Sequence, residues 1–123
     1  MTDLHGKKLG ILISAAPDDP HFGYGLQLAL TARARGSEVY LYLIDEAVCG
    51  LDDQRLERLR ATGAHTHACG LAIERYQSQV QPDLAGSVNS EDRPLFLKTG
   101  LAALNDLVVG VDRFVSFNGK TVV

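Results

Sequence analysis

The chain has only two cysteines, Cys49 and Cys69, too few for a disulfide framework, and at 123 residues it is long enough to bury a core without covalent staples, so both are expected as thiols. It lacks any long hydrophobic run. The longest, Leu9 to Ala16, contains Gly10 and Ser14 and falls far short of the roughly 20 apolar residues that cross a bilayer, which argues against a membrane helix. Lysines precede that run, but Pro17-Asp18-Asp19-Pro20 follows it instead of a small-residue cleavage pattern, so a secretory signal is not expected and a cytoplasmic location is. There is no excess of basic residues: the formal net charge is −3, which argues against direct nucleic-acid binding as the main activity. Internal repeats and low-complexity tracts are absent as well, and the length suits one domain spanning residues 1–123.

What is present is an alternation of apolar runs and helical patterns. Leu9 to Ser14 is a continuous apolar run between lysines and Pro17, the pattern of a strand buried on both faces of a parallel sheet, here taken as the central one. Asp19 is placed to cap a helix and Pro20 to occupy its first turn, leading into Gly25–Arg35, with Leu26, Ala29, Leu30 and Arg33 at helical spacing and Gly36 as the stop. Glu38 to Ile44 is rich in β-branched and aromatic residues and reads as the second strand. Asp52 to Thr62 is an amphipathic helix, acidic at its start and basic at its end, stopped by Gly63. A strand over Ala64–Cys69 turns at once into a helix from Gly70 to about Tyr76. The polar stretch Gln77–Pro94 is long for a plain loop and suggests a short fourth strand near Ala85–Val88. Leu95 to Val109 reads as the last helix, with Leu97, Leu101, Leu104 and Val108 on one face, and Asp112–Phe117 as the closing strand. Strands alternating with helices predict a single three-layer α/β/α domain with a mostly parallel five-stranded sheet.

The chemistry-bearing residues cluster at the third strand. Cys69 falls at the carboxyl end of a parallel strand and the amino end of a helix, where α/β proteins place their sites and where the N–H groups of Gly70, Leu71 and Ala72 favour a thiolate. A thiolate attacks sulfur or carbonyl centres; the competing reading is a structural cysteine packed like a small hydrophobe. His65, His67 and Cys69 share one face of the strand, because strand side chains alternate. Ligands at i, i+2 and i+4 span too much strand for one ion to meet all three easily, so no metal site is assigned and His67 is read as a neighbour that tunes or deprotonates Cys69. Cys49, in the loop after the second strand, is a candidate second thiol, and Arg75 a candidate for holding an anionic sulfur species, against the readings of a plain loop thiol and an exposed helical arginine. Asp45 and Glu46 are a weaker acid/base candidate. Gly23-Tyr24-Gly25 fails as a dinucleotide motif, since Leu28 stands where its third glycine belongs; the glycines instead suit a close backbone approach at the start of the first helix.

Taken together, the Lys8–Ser14 strand, the Gly25–Arg35 helix, the run Val39-Tyr40-Leu41-Tyr42-Leu43-Ile44-Asp45-Glu46-Ala47-Val48, the motif Ala68-Cys69-Gly70-Leu71-Ala72-Ile73-Glu74-Arg75, and Gly100-Leu101 through Asp112–Phe117 resemble the DsrE/DsrF-like sulfur-relay family over nearly the whole chain. That resemblance implies a parallel five-stranded sheet between helices, homo- or hetero-oligomeric assembly, and a cysteine, here Cys69, that carries sulfane sulfur as a persulfide from an upstream donor protein to a downstream acceptor, with no metal or organic cofactor. Where relatives continue the motif with paired arginines and a glycine, this chain has Glu74-Arg75-Tyr76. Two other readings stay open: a flavodoxin-like module holding a small anionic ligand or nucleotide at the Ser14–Gly25 loop, and an oligomeric scaffold with the cysteine incidental.

Overall fold

The structure, a computed structural model, describes residues 5–78 and 97–119. Strands β1 (Lys8–Ile13), β2 (Glu38–Leu43), β3 (His65–Cys69), β4 (Leu97–Thr99) and β5 (Arg113–Phe117) form one sheet in the order β4-β3-β2-β1-β5. Every adjacent pair is parallel. Helices α1 (Pro20–Ala34), α2 (Gln54–Ala61), α3 (Gly70–Arg75) and α4 (Leu101–Gly110) alternate with the strands, and a 3-10 turn at Asp45–Gly50 follows β2. The fold is therefore α/β. The first three connections step the chain one way across the sheet and the last steps back past β1, so right-handed crossovers put α1 and α2 on one face and α4 on the other.

Local chemistry sets the helix ends. The Asp19 carboxylate accepts the His21 backbone N–H at 2.9 Å with Pro20 next to it, so α1 begins at Pro20, ahead of the glycine pair. Asp53 caps α2 in the same manner, accepting the Arg55 N–H at 2.8 Å. Gly36, at φ +87°, and Gly63, at φ +97°, take the left-handed conformation that ends a helix without strain from a Cβ. The main core lies between the sheet and α1–α2: Ile11, Ile13, Val39, Leu41, Leu43, Phe22, Ala29, Leu56 and Leu59 are all at 0% exposure. Gly25 faces Ile13 so closely that a Cβ there would stand 2.6 Å from Cδ1, the close approach that the glycine pair suggested.

Two expectations from the sequence differ from the structure. Strand β1 is an inner strand, but β2, not β1, is the central one, because only β5 is added beyond β1 while β3 and β4 extend the sheet past β2. The other difference lies in the last third. Leu97 to Thr99 is not the opening of a helix; it is β4, paired with β3 in the register His67↔Leu97, Ala68↔Lys98 and Cys69↔Thr99. The spacing of Leu97 from Leu101 imitates one helical face, but pairing with β3 decides the conformation, and Gly100 separates the strand from α4 as its N-cap residue. The face of α4 nearer the sheet carries Ala103, Leu104 and Leu107, while Val108, assigned inward by the pattern, is exposed. The strand suggested at Ala85–Val88 lies outside the described residues.

Candidate functional site

The strands run parallel, so their carboxyl ends share one edge of the sheet, and the β3–α3 junction opens there. Cys69 is both the last residue of β3 and the N-cap of α3, at φ −69° and ψ 121°. Its side chain makes no capping hydrogen bond, so the expected engagement of the thiol with the Gly70–Ala72 amides is not seen. The residue is 6% exposed and belongs to the apolar core, together with Ala68, Ala72 and Ile73.

Alternation along β3 places His65, His67 and Cys69 on the face opposite α1 and α2, as the sequence predicts. The two histidines continue as stacks onto β2. His65 lies on Tyr40 with ring centroids 4.7 Å apart and 14° between planes, and His67 lies parallel to Tyr42 at 6.2 Å. His67 is partly buried and its Nδ1 finds no hydrogen-bond partner among the described residues. Burial, and after it the neighbouring His65, hold the His67 imidazole below its ordinary range, which favours the neutral ring. Among the described residues there is no group of three or more His, Cys, Asp or Glu side chains placed to hold a metal ion.

The other candidates are spread more widely. Gly70 opens α3 beside the thiol and is partly buried. Arg75 closes that helix; six positions on, at about 1.5 Å and 100° per residue, it leaves the helix about 9 Å along the axis and on a different side, and it is exposed. Cys49 sits in the 3-10 turn against which α3 packs, and both cysteines are thiols. Burial, then Glu46 and Asp52, push the Cys49 thiol up, which disfavours its thiolate at neutral pH. Asp45 and Glu46 are exposed, and Asp45 takes φ +50° as β2 gives way to the turn. In the Ser14–Gly25 loop, Ser14 Oγ hydrogen-bonds Asn118 Oδ1 at 3.1 Å, and the Asp19 carboxylate already occupies the start of α1, where a small anion would otherwise bind.

One residue absent from the sequence reading of the site is Tyr42. Its side chain is fully buried, and its hydroxyl donates to the Gly100 carbonyl at 2.9 Å and accepts from Thr99 Oγ1 at 3.2 Å. The available signal was alternation: Tyr40 and Tyr42 share the β2 face that meets the two histidines of β3.

These features define a parallel α/β domain that presents a thiol at the carboxyl edge of its sheet. No family model matches the sequence, and no curated protein matches it. Among solved structures the chain is similar to the ychN protein from E. coli, at a TM-score of 0.69 and 18% identity over 91% of this chain and 99% of that one. At that identity the likeness shows the fold alone. No helix among the described residues is long and apolar enough to cross a membrane.

Proposed function

We propose that the protein is a sulfur carrier in which Cys69 accepts sulfane sulfur as a persulfide and relays it to a partner protein. The observation that carries this reading is the placement of Cys69: a thiol at the carboxyl end of β3, 6% exposed, on the same sheet face as a partly buried His67 whose imidazole is favoured neutral. In loading, the Cys69 thiolate attacks the outer sulfur of the donor's persulfide. A new S–S bond forms on Cys69, the donor's S–S bond breaks, and the donor leaves as a thiol with the proton that Cys69 gave up; nothing is oxidised overall. Unloading is the same exchange, with the acceptor's thiolate attacking the outer sulfur and Cys69 departing as thiolate. Neutral His67 can accept the Cys69 proton and return it. The near-complete cover of Cys69 protects a persulfide from bulk oxidants between the two exchanges. Neither exchange needs a metal or organic cofactor, and thiols kept reduced suit a cytoplasmic setting.

Upstream donor and downstream acceptor proteins are part of this proposal, and so is self-association. Helix α4 leaves Val109 75% and Val108 43% exposed at its carboxyl end, an apolar pair beside exposed Asn105 and Asp106 that a second copy of the chain would cover. The loading step is tested by incubating the reduced protein with glutathione persulfide and weighing it intact. The expected result is a gain of one sulfur atom that persists in Cys49→Ser and vanishes in Cys69→Ser. A protein that gains no sulfur, or gains it only on Cys49, overturns the proposal.

A further inference from the structure

Among the wholly buried side chains Tyr42 is the largest, and the sulfur exchange described above makes no use of it. It stands on β2 opposite His67 and lies parallel to that imidazole, yet its hydroxyl ends elsewhere, on Thr99 Oγ1 and the Gly100 carbonyl at the end of β4. Thr99 is the register partner of Cys69. Because β3 lies between β2 and β4, the phenol must cross the face of β3 diagonally, climbing from the level of His67 to that of Cys69. Cys69 leaves β3 on this same face. The ring and its two hydrogen bonds thus span the strand that carries the thiol, and they tie β2 to the β4–α4 turn.

We propose that Tyr42 is a positioning residue for Cys69: its hydroxyl holds the Thr99–Gly100 turn down on the end of β3 and thereby sets how far the thiol is open to an incoming sulfur atom. The inference rests on Cys69 being the reacting thiol and adds the element that governs its exposure. Tyr42→Phe keeps the ring and its burial and deletes both hydrogen bonds. Thr99 is only partly buried and Gly100 is exposed, so water can take over both lost partners and the turn lifts without leaving an unsatisfied group.

The test is the rate at which iodoacetamide alkylates each cysteine, followed by peptide mass in one sample. In Tyr42→Phe the Cys69 rate is expected to rise roughly five- to 150-fold, the equilibrium worth of two neutral hydrogen bonds, while the Cys49 rate in the same molecules stays as in wild type. Thr99→Val, which removes only the accepted bond, is expected to raise the Cys69 rate by less, and it carries the same test if Tyr42→Phe fails to fold. An unchanged Cys69 rate overturns the proposal. So does a parallel rise at Cys49 and Cys69, which would mark Tyr42 as a support of general stability alone. Alkylation needs no sulfur donor, so this result is separable from the loading experiment: Cys69 can fail to take sulfur while still responding to Tyr42, and the reverse.

Discussion

Replacing Gly25 by alanine is expected to destabilise the protein, against the usual benefit of alanine in a helix. A Cβ at Gly25 would lie 2.6 Å from Ile13 Cδ1, 2.9 Å from its Cγ1 and 3.2 Å from Phe117 Cδ2, where ordinary contact begins at 3.4 Å. The shortfall on Cδ1 is thus 3.4 − 2.6 = 0.8 Å, and Ile13, at 0% exposure, has no open side to retreat into. Overpacking of this kind costs about 1–3 kcal/mol, against about 0.5–1 kcal/mol gained from helix propensity, leaving a net loss of up to about 2.5 kcal/mol. Gly23→Ala is the control, two positions earlier in the same helix. Its Cβ meets only Arg55 Nη1, at 2.9 Å, the tip of a 43% exposed side chain that hydrogen-bonds Asp53 and the Pro17 carbonyl, so the clash falls on one anchored surface guanidinium rather than on the packed core. That variant should lose less stability than Gly25→Ala, since the propensity gain of about 0.5–1 kcal/mol offsets the disturbance of one partly exposed guanidinium. For a chain of this size each kcal/mol moves the midpoint by about 3–6 °C, so thermal melts followed by circular dichroism should separate the two variants, with Gly25→Ala the lower. If Gly25→Ala melts at or above wild type, or together with Gly23→Ala, the reasoning about α1 packing on β1 is wrong.

Acid should weaken the fold through His67. Its folded-state value is depressed, so above the ordinary 6.5 both states are neutral, and as pH falls below that point the unfolded chain takes the proton first and stability declines until folded His67 also titrates. Asp53, whose carboxyl is held low chiefly by its hydrogen bond to Arg55, acts only below its ordinary 3.8, so the two windows are separate. Denaturant midpoints from about pH 7 to about pH 5 should therefore fall less steeply in His67→Gln than in wild type; equal slopes would contradict the account. For self-association, light scattering on the eluted protein is expected to give a multiple of the chain mass in wild type and a smaller assembly in Val109→Asp, because Val109 is 75% exposed on α4 and a buried charge there is costly. A wild-type monomer would remove the reason for that face.

Much of the architecture was legible because single residues announce it. Leu9 to Ile13 is apolar on both faces and lies inside the sheet between β2 and β5, although β2 rather than β1 is the central strand; Asp19-Pro20 and Gly36 bracket α1. Leu97 to Thr99 was not legible: three residues show no period, and their strand conformation comes from β3, some 30 positions earlier by the register Cys69↔Thr99 (99 − 69 = 30). At the site, alternation correctly grouped His65, His67 and Cys69, and the strand-to-helix turn at Cys69 stood where glycine and cysteine suggested. Neither the cover over the thiol nor the crossing phenol could be read, since both depend on which strand lies beyond β3. Arg75 closes α3 and is exposed, and the sequence alone could not say where its side chain lies relative to the thiol.

The pairing of β1 with β5 has a consequence for the birth of the protein. Leu9 meets Arg113, so 104 residues are translated between the two halves of that contact (113 − 9 = 104). At about 5–20 residues per second, the flank of β1 that β5 will cover stays bare for about 5–20 s on the ribosome. An apolar strand with one uncovered edge is a template for foreign strands. The nascent chain thus carries an open edge on a strand that is later enclosed between β2 and β5, and that interval is where chaperone cover would act.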